Sequence, residues 1–258
     1  MHTVLCHHAR GEMQAYVEMA QIRGLTEIGF TDHAPGFNGY DPRHRMTIEE
    51  MPFYFRSLDS LMKLFPDIRI RTGIEADVYP GHDAYLQMLR KKFPIEYVIG
   101  SVHFIDGVSV FEPLEKLRSA IEISSFIDSY FEKICDGMRS KLFDILAHLD
   151  LIKFGLPEYE ETIIEKAIGI LPMIADSGHI LEINSSGLRK SPGETYPSLP
   201  VIKEACGLGI PVSIGADAHR PVDVGADFEE TADLLIDAGY AQHTAVMNDL
   251  KVYLPERG

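Results

Sequence analysis

The chain has 258 residues, 45% hydrophobic and 24% charged, a globular balance that excludes disorder as its main state. Its 39 Asp plus Glu against 24 Lys plus Arg leave a net charge of −15, which argues against a nucleic acid or an anionic membrane as partner. The three scattered cysteines, Cys6, Cys135 and Cys206, exclude a disulfide framework or paired-cysteine zinc site and point to a reducing cytoplasm.

In chain order the patterning predicts a strand over 2–5, a helix over 12–23, a strand over 27–33 and a helix over 48–65. There follow a strand over 68–78, a helix over 82–92, a strand over 97–104 and a long helix near 114–141. A strand over 145–151, a helix over 159–175, a strand over 180–185, a helix over 197–206, a strand over 211–219 and a helix over 228–238 complete the series. Thr47 with Glu50 three residues on reads as a capping box for the second helix. No basic-then-apolar leader opens the chain, and no apolar run reaches the roughly 18 residues of a membrane span.

Alternation of this kind predicts parallel βαβ units. Strands such as Tyr97-Val-Ile-Gly are apolar on both faces, as a helix-covered sheet requires. The expectation is one α/β domain over 1–258, a seven-stranded TIM-like barrel, with a doubly wound open sheet as the alternative fold.

The predicted strands end in potential ligands, and in a parallel barrel those ends converge. Of the 11 histidines, His2, His8, His33, His103, His148 and His219 fall there, joined by Glu75 and Asp217. Buried together without an ion, they would need other partners. The reading is a multinuclear centre of two or three divalent ions, and imidazole with carboxylate suits Zn, Mn or Fe alike. His44, His82, His179 and His243 fall in loops or helices and receive no role, and Cys6 is read as a small buried apolar residue.

These segments, among them Thr31-Asp-His33, Gly73-Ile-Glu75-Ala-Asp77, His148-Leu-Asp-Leu-Ile-Lys-Phe-Gly155 and Gly215-Ala-Asp217-Ala-His219, resemble the PHP family of metal-dependent phosphoesterases. Lys-Phe-Gly at 153–155 and Gly-Leu-Arg at 187–189 resemble its histidinol-phosphate phosphatase branch. The resemblance covers nearly the whole chain and implies a distorted (β/α)7 barrel. It also implies three ions: one on His2, Glu75 and Asp217, one on Glu75, His103 and His148, and one on His8, His33 and His219. The family's first strand carries a His-x-His pair; here Met1 stands at x, so the resemblance implies one ligand fewer for the first ion and a sequence that starts late. His7 stands where the family has a small residue.

Two ions bridged by Glu75 would sit about 3.5–4 Å apart and clamp an in-line displacement at phosphorus. Arg189, Lys190 and Arg45 are the candidates for binding substrate phosphate, Arg45 as a lid contact. Asp217 and His219 are the catalytic candidates, Asp217 as proton carrier to the leaving alkoxide. The expected reaction is hydrolysis of L-histidinol phosphate in histidine biosynthesis. The alternatives are another small phosphate ester such as a nucleotide or sugar phosphate, an amidohydrolase, disfavoured because the bridging candidate is Glu75 rather than Lys, and a metal-binding pseudoenzyme.

Overall fold

Strands apolar on both faces need helices on each side, and the chain provides them in strict alternation. The computed structural model describes the backbone of residues 1–247 and 250–255, and side chains through residue 241. The fold divides into two compact units, one of Met1–Ile99 with Ala216–Ala226, the other of Gly100–Gly215 with Asp227–Gly258.

The first unit contains α1 (Met13–Ile22), β1 (Glu27–His33), α2 (Met51–Leu64), β2 (Arg69–Asp77) and α3 (His82–Lys92), and the chain leaves it within β3 (Tyr97–Ser101). β1 and β2 run parallel in a register that sets Glu27 beside Arg69 and His33 beside Glu75. Gly29 on β1 and Gly73 on β2 make a slot for the buried Tyr97 ring: a Cβ on Gly29 would lie 1.9 Å from Tyr97 Oη, and one on Gly73 2.7 Å from its ring carbons. α2 buries Met51, Tyr54, Phe55, Leu58 and Leu61, one stripe at helical spacing. Thr47 and Glu50 do bond, through Thr47 N and Oγ1 to Glu50 Oε2, but α2 begins only at Met51.

The expected strand over 2–5 does not form. Met1 alone lies along β1, its amino group donating to Gly29 O and its carbonyl accepting from Thr31 N. Thr3 then caps a 3-10 turn, Val4–Cys6, by accepting from Leu5 N. Thr3 N donates to the Asp32 carboxylate instead of a neighbouring carbonyl, which takes residue 3 out of the ladder.

The second unit holds a short hairpin of β4 (Phe104–Ile105) and β5 (Val108–Ser109), then α4 (Ala120–Ser140), β6 (Ile145–Leu146), α5 (Glu160–Ser177), β7 (Ile180–Asn184), α6 (Leu199–Gly207), β8 (Val212–Gly215) and α7 (Phe228–Asp237). It ends in β9 (Tyr240–Met247) and β10 (Leu250–Pro255). β6, β7 and β8 are parallel neighbours, and β10 pairs antiparallel with β8 and with β9. The closing hairpin was not expected; the turn-forming pair Asn248-Asp249 between two short runs containing Thr, Val and Tyr was its signal in the sequence. Three strands fall well short of the prediction: β3 ends at Ser101 rather than 104, β6 at Leu146 rather than 151 and β8 at Gly215 rather than 219. His148 at φ +23° and Asp217 at φ +49° leave extended geometry, so β6 and β8 stop before those residues. α4 starts late because Ser119 and Glu122 form a capping box there. No helix among the described residues is long and apolar enough to cross a membrane.

Candidate metal centre

The parallel register that sets His33 beside Glu75 brings two strand ends of the first unit together. The N-terminal residue pairs and the 216–219 segment add the rest: His2 N donates to Ala218 O at 2.9 Å and Arg10 N to His219 O at 2.8 Å. Six of the eight expected ligands, His2, His8, His33, Glu75, Asp217 and His219, lie in this unit as one cluster.

His2, 2% exposed, stands at its centre. Its Nε2 is 3.2 Å from Glu75 Oε2 and 3.2 Å from Asp217 Oδ1. The His2 ring stacks on His219 at 4.1 Å between centroids and lies 4.4 Å from that of His33. His8 and His219 face each other through their Nε2 atoms at 3.0 Å. Their Nδ1 atoms are turned to backbone carbonyls, of Cys6 at 2.7 Å and of Asp217 at 2.9 Å. Two Nε2 lone pairs so close need either a shared proton or a cation. His2, Glu75 and Asp217 hold their ligand atoms within 4.8 Å of one another, matching the expected first set. The expected set of His8, His33 and His219 is divided: His33 and His219 group with His2, and His8 and His219 group with Cys6. His8 stays near, its ring 5.3 Å from that of His33. The imidazoles and carboxylates converging here, of which His2, His33 and Glu75 are buried, fit borderline divalent ions.

The surroundings shift two of these imidazoles in opposite directions. Burial opposes charge on His2, yet contacts with Asp217, Asp32, Cys6 and Glu75 outweigh it and hold the imidazole well above its usual range. Burial, aided by the nearby His2, pushes His219 down to about 4.

His103 and His148 belong to the second unit, their rings 5.1 Å apart. His148 N donates to Glu182 Oε2 at 3.0 Å, which fixes the backbone at its left-handed φ. Arg189, also in that unit, pairs with Asp227, and Lys190 Nζ donates to Ser186 Oγ at 3.0 Å. Arg45 is not the lid contact expected. It is 3% exposed, its Nη2 2.8 Å from Asp77 Oδ2 and its guanidinium 4.9 Å above the Tyr40 ring. Its charge is spent inside the unit.

Three residues near the cluster escaped the sequence reading. Asp32, fully buried, lies beside His2. His44, bonded to Asp41 at 2.7 Å, sets its ring edge-on to His8 at 5.5 Å. Cys6 is buried as expected but lies within ligand distance of both His8 and His219. Proximity to the Thr-Asp-His strand end was the signal for Asp32; His44 had none. His82 and His179 make local contacts with Tyr79 and Ser177, in keeping with no role, and the His243 side chain lies outside the described residues.

A family model described as the PHP domain matches residues 1–186. A probable histidinol-phosphatase of Deinococcus radiodurans is 34% identical over 243 residues, covering 93% of this chain and 92% of that protein. The histidinol-phosphatase of Bacillus subtilis is 26% identical, covering 89% and 95%. Among solved structures, histidinol phosphate phosphatase from Lactococcus lactis, complexed with zinc, L-histidinol and phosphate, superposes with a TM-score of 0.78 at 19% identity, covering 96% of this chain and 95% of that one. A histidinol phosphatase structure from Listeria monocytogenes gives 0.76 at 23% identity, covering 89% and 97%. These two likenesses carry the fold, and the α/β, barrel-type class expected from the sequence holds.

Proposed function

The chain belongs to the PHP domain family, and from that membership we propose that it is a metal-dependent phosphomonoesterase that hydrolyses L-histidinol phosphate to L-histidinol and phosphate. The relatives named histidinol-phosphatase and the neighbour with zinc, L-histidinol and phosphate support the substrate, and with it we assign the chain to histidine biosynthesis in a reducing cytoplasm. The observation that carries the reading is the His2 Nε2 held 3.2 Å from two carboxylates, beside the facing Nε2 atoms of His8 and His219.

His2, Glu75 and Asp217 would hold one ion, and His8, His33 and His219 a second. Zinc, manganese and iron all suit these donors. Such ions supply charge neutralisation for a phosphate dianion and activation of water at neutral pH. The rest falls to side chains. Carbonyl contacts at Nδ1 hold the His8 and His219 rings with their Nε2 atoms turned toward each other, which leaves Nε2 as the ligand atom of each. Asp217, partly open to solvent, is assigned the proton that the leaving alkoxide takes as the P–O bond breaks. Arg189 and Lys190 remain the candidates for phosphate contact, since a guanidinium can hold two phosphate oxygens. Arg45 leaves that set, its guanidinium being bound to Asp77.

Release of inorganic phosphate from L-histidinol phosphate, measured on protein made metal-free and then reloaded with zinc, manganese or iron, tests this reading. Metal-dependent turnover is expected. Absence of turnover with every ion would return the chain to the pseudoenzyme alternative.

A further inference from the structure

We propose that Asp32 is a positioning residue that holds the His2 imidazole as its Nδ1–H tautomer, leaving Nε2 as the metal-binding atom. The inference rests on the reading of His2, Glu75 and Asp217 as metal ligands.

Asp32 is fully buried, and a carboxylate taken out of water is costly unless it is bonded on all sides. Three donors meet it. Thr3 N reaches Oδ2 at 3.2 Å, the Thr3 hydroxyl bonds the same oxygen, and His33 N reaches Oδ1 at 2.9 Å. The side chain it faces beyond these is His2, whose Nδ1 is buried without a hydrogen bond and lies 3.5 Å from Oδ1, within ion-pair distance of the carboxylate. Thr3 follows His2 in the chain and His33 follows Asp32, so one carboxylate ties together the two segments that present His2 and His33. The Asp32 amide and Tyr54 Oη, 3.4 Å apart, add a further anchor, since Tyr54 in turn donates to Gly73 O.

This arrangement decides which nitrogen of His2 is available. Acceptors stand at both ends of the ring: Asp32 at Nδ1, Glu75 and Asp217 at Nε2. With an ion held at the Glu75 and Asp217 end, Nε2 would serve as the ligand atom and Nδ1 would be the nitrogen left to carry the proton. A neutral imidazole then binds through Nε2 only if Nδ1 keeps its proton, and the Asp32 carboxylate is the group that makes that tautomer the stable one. With a neutral amide at position 32, the tautomers would lie closer in energy and the ring would lose its orienting charge.

The test is Asp32→Asn, which keeps shape and removes charge. Zinc affinity of metal-free protein is measured by competition with a chromophoric chelator, and 15N-histidine NMR of the zinc-loaded protein reads the His2 tautomer. The expected result is a roughly 10–100-fold weaker zinc site with a lost or exchange-broadened His2 Nδ1–H signal, while circular dichroism of the metal-free protein is unchanged. Wild-type affinity together with a retained Nδ1–H signal would overturn the proposal, whatever happens to melting temperature. Should Asp32→Asn not fold, Thr3→Val removes one donor to Asp32 without touching His2. A smaller loss of affinity in that variant supports the proposal, and unchanged affinity overturns it. Wild-type protein that binds no zinc, manganese or iron would instead overturn the metal reading itself.

Discussion

Glu75 stands where β2 leaves the ladder, beside His33 on β1 and 3.2 Å from His2. Replacing its charge while keeping its shape, Glu75→Gln, should lower both metal content and phosphatase rate, the rate by at least about tenfold, since outer-shell changes alone cost 10–100-fold. Metal analysis beside steady-state kinetics checks this, and near-normal turnover would remove Glu75 from the mechanism. Arg189→Ala should raise KM more than it lowers kcat if the guanidinium holds phosphate equally in ground and transition states. His2 makes stability depend on pH. Its imidazole is held well above the ordinary value in the metal-free fold, so its contribution is complete below about pH 6.5 and fades as pH rises through the raised value. His219, pushed down to about 4, acts the other way, favouring the fold above about pH 6.5 and losing that advantage as pH falls toward 4. Thermal melts in chelator should therefore show stability declining above neutral pH in wild type, and His2→Gln should flatten that decline. Persistence of the full decline in the variant would contradict the role given to His2. At this scale His33 and Glu75 were legible, because they sit at the ends of strands that form, whereas His2, His8, Asp217 and His219 were singled out as strand ends that no strand reaches. Asp32 was harder, since it lies inside the ladder with its neighbour His33, and only the fold brings Thr3 and His2 to it. Arg45 misled because a cation in a loop resembles a surface group until Asp77 is seen beside it.

Strands and helices were legible as a series, and their ends less so. Six of the seven predicted parallel strands exist, and two of the three that stop well short do so ahead of His148 and Asp217, where a left-handed backbone presents a candidate ligand. Local strain at a functional position defeats a pattern based on extended geometry. Two element-level features carry stability predictions. Gly73→Ala would drive a methyl into the Tyr97 ring between β1 and β2 and should cost about 1–3 kcal/mol, the usual range for overpacking a filled core. In the second unit, Lys153 is 2% exposed and donates to Asp150 at 3.0 Å, Glu194 at 2.5 Å and Thr195 O at 3.0 Å. It ties the turn after β6 to the segment before α6. Lys153→Ala leaves the Asp150 charge buried without its counter-ion and should destabilise by about 3–5 kcal/mol in chemical denaturation. Stability within error of wild type would show that the tie carries no energy. The Lys-Phe-Gly segment was noticed in the sequence, but two of the three Lys153 acceptors, Glu194 and Thr195, stand some forty residues away and no local pattern announces them.

For the molecule as a whole, a net charge of −15 and a cluster that gathers imidazoles and carboxylates in one place belong to the same account. An acidic chain can receive a phosphate dianion where cations locally reverse its sign, and the His2, Glu75 and Asp217 group is the place where the proposed function puts one. The central claim is that this family member acts on L-histidinol phosphate rather than on phosphate esters in general. The most direct measurement is kcat/KM of the metal-loaded protein for L-histidinol phosphate beside a panel of simple phosphomonoesters, sugar phosphates and nucleotides. The account predicts that L-histidinol phosphate exceeds every other ester by at least about tenfold, the factor that some 1.4 kcal/mol of added transition-state binding would supply. An equal or higher value for a sugar phosphate or nucleotide would contradict it.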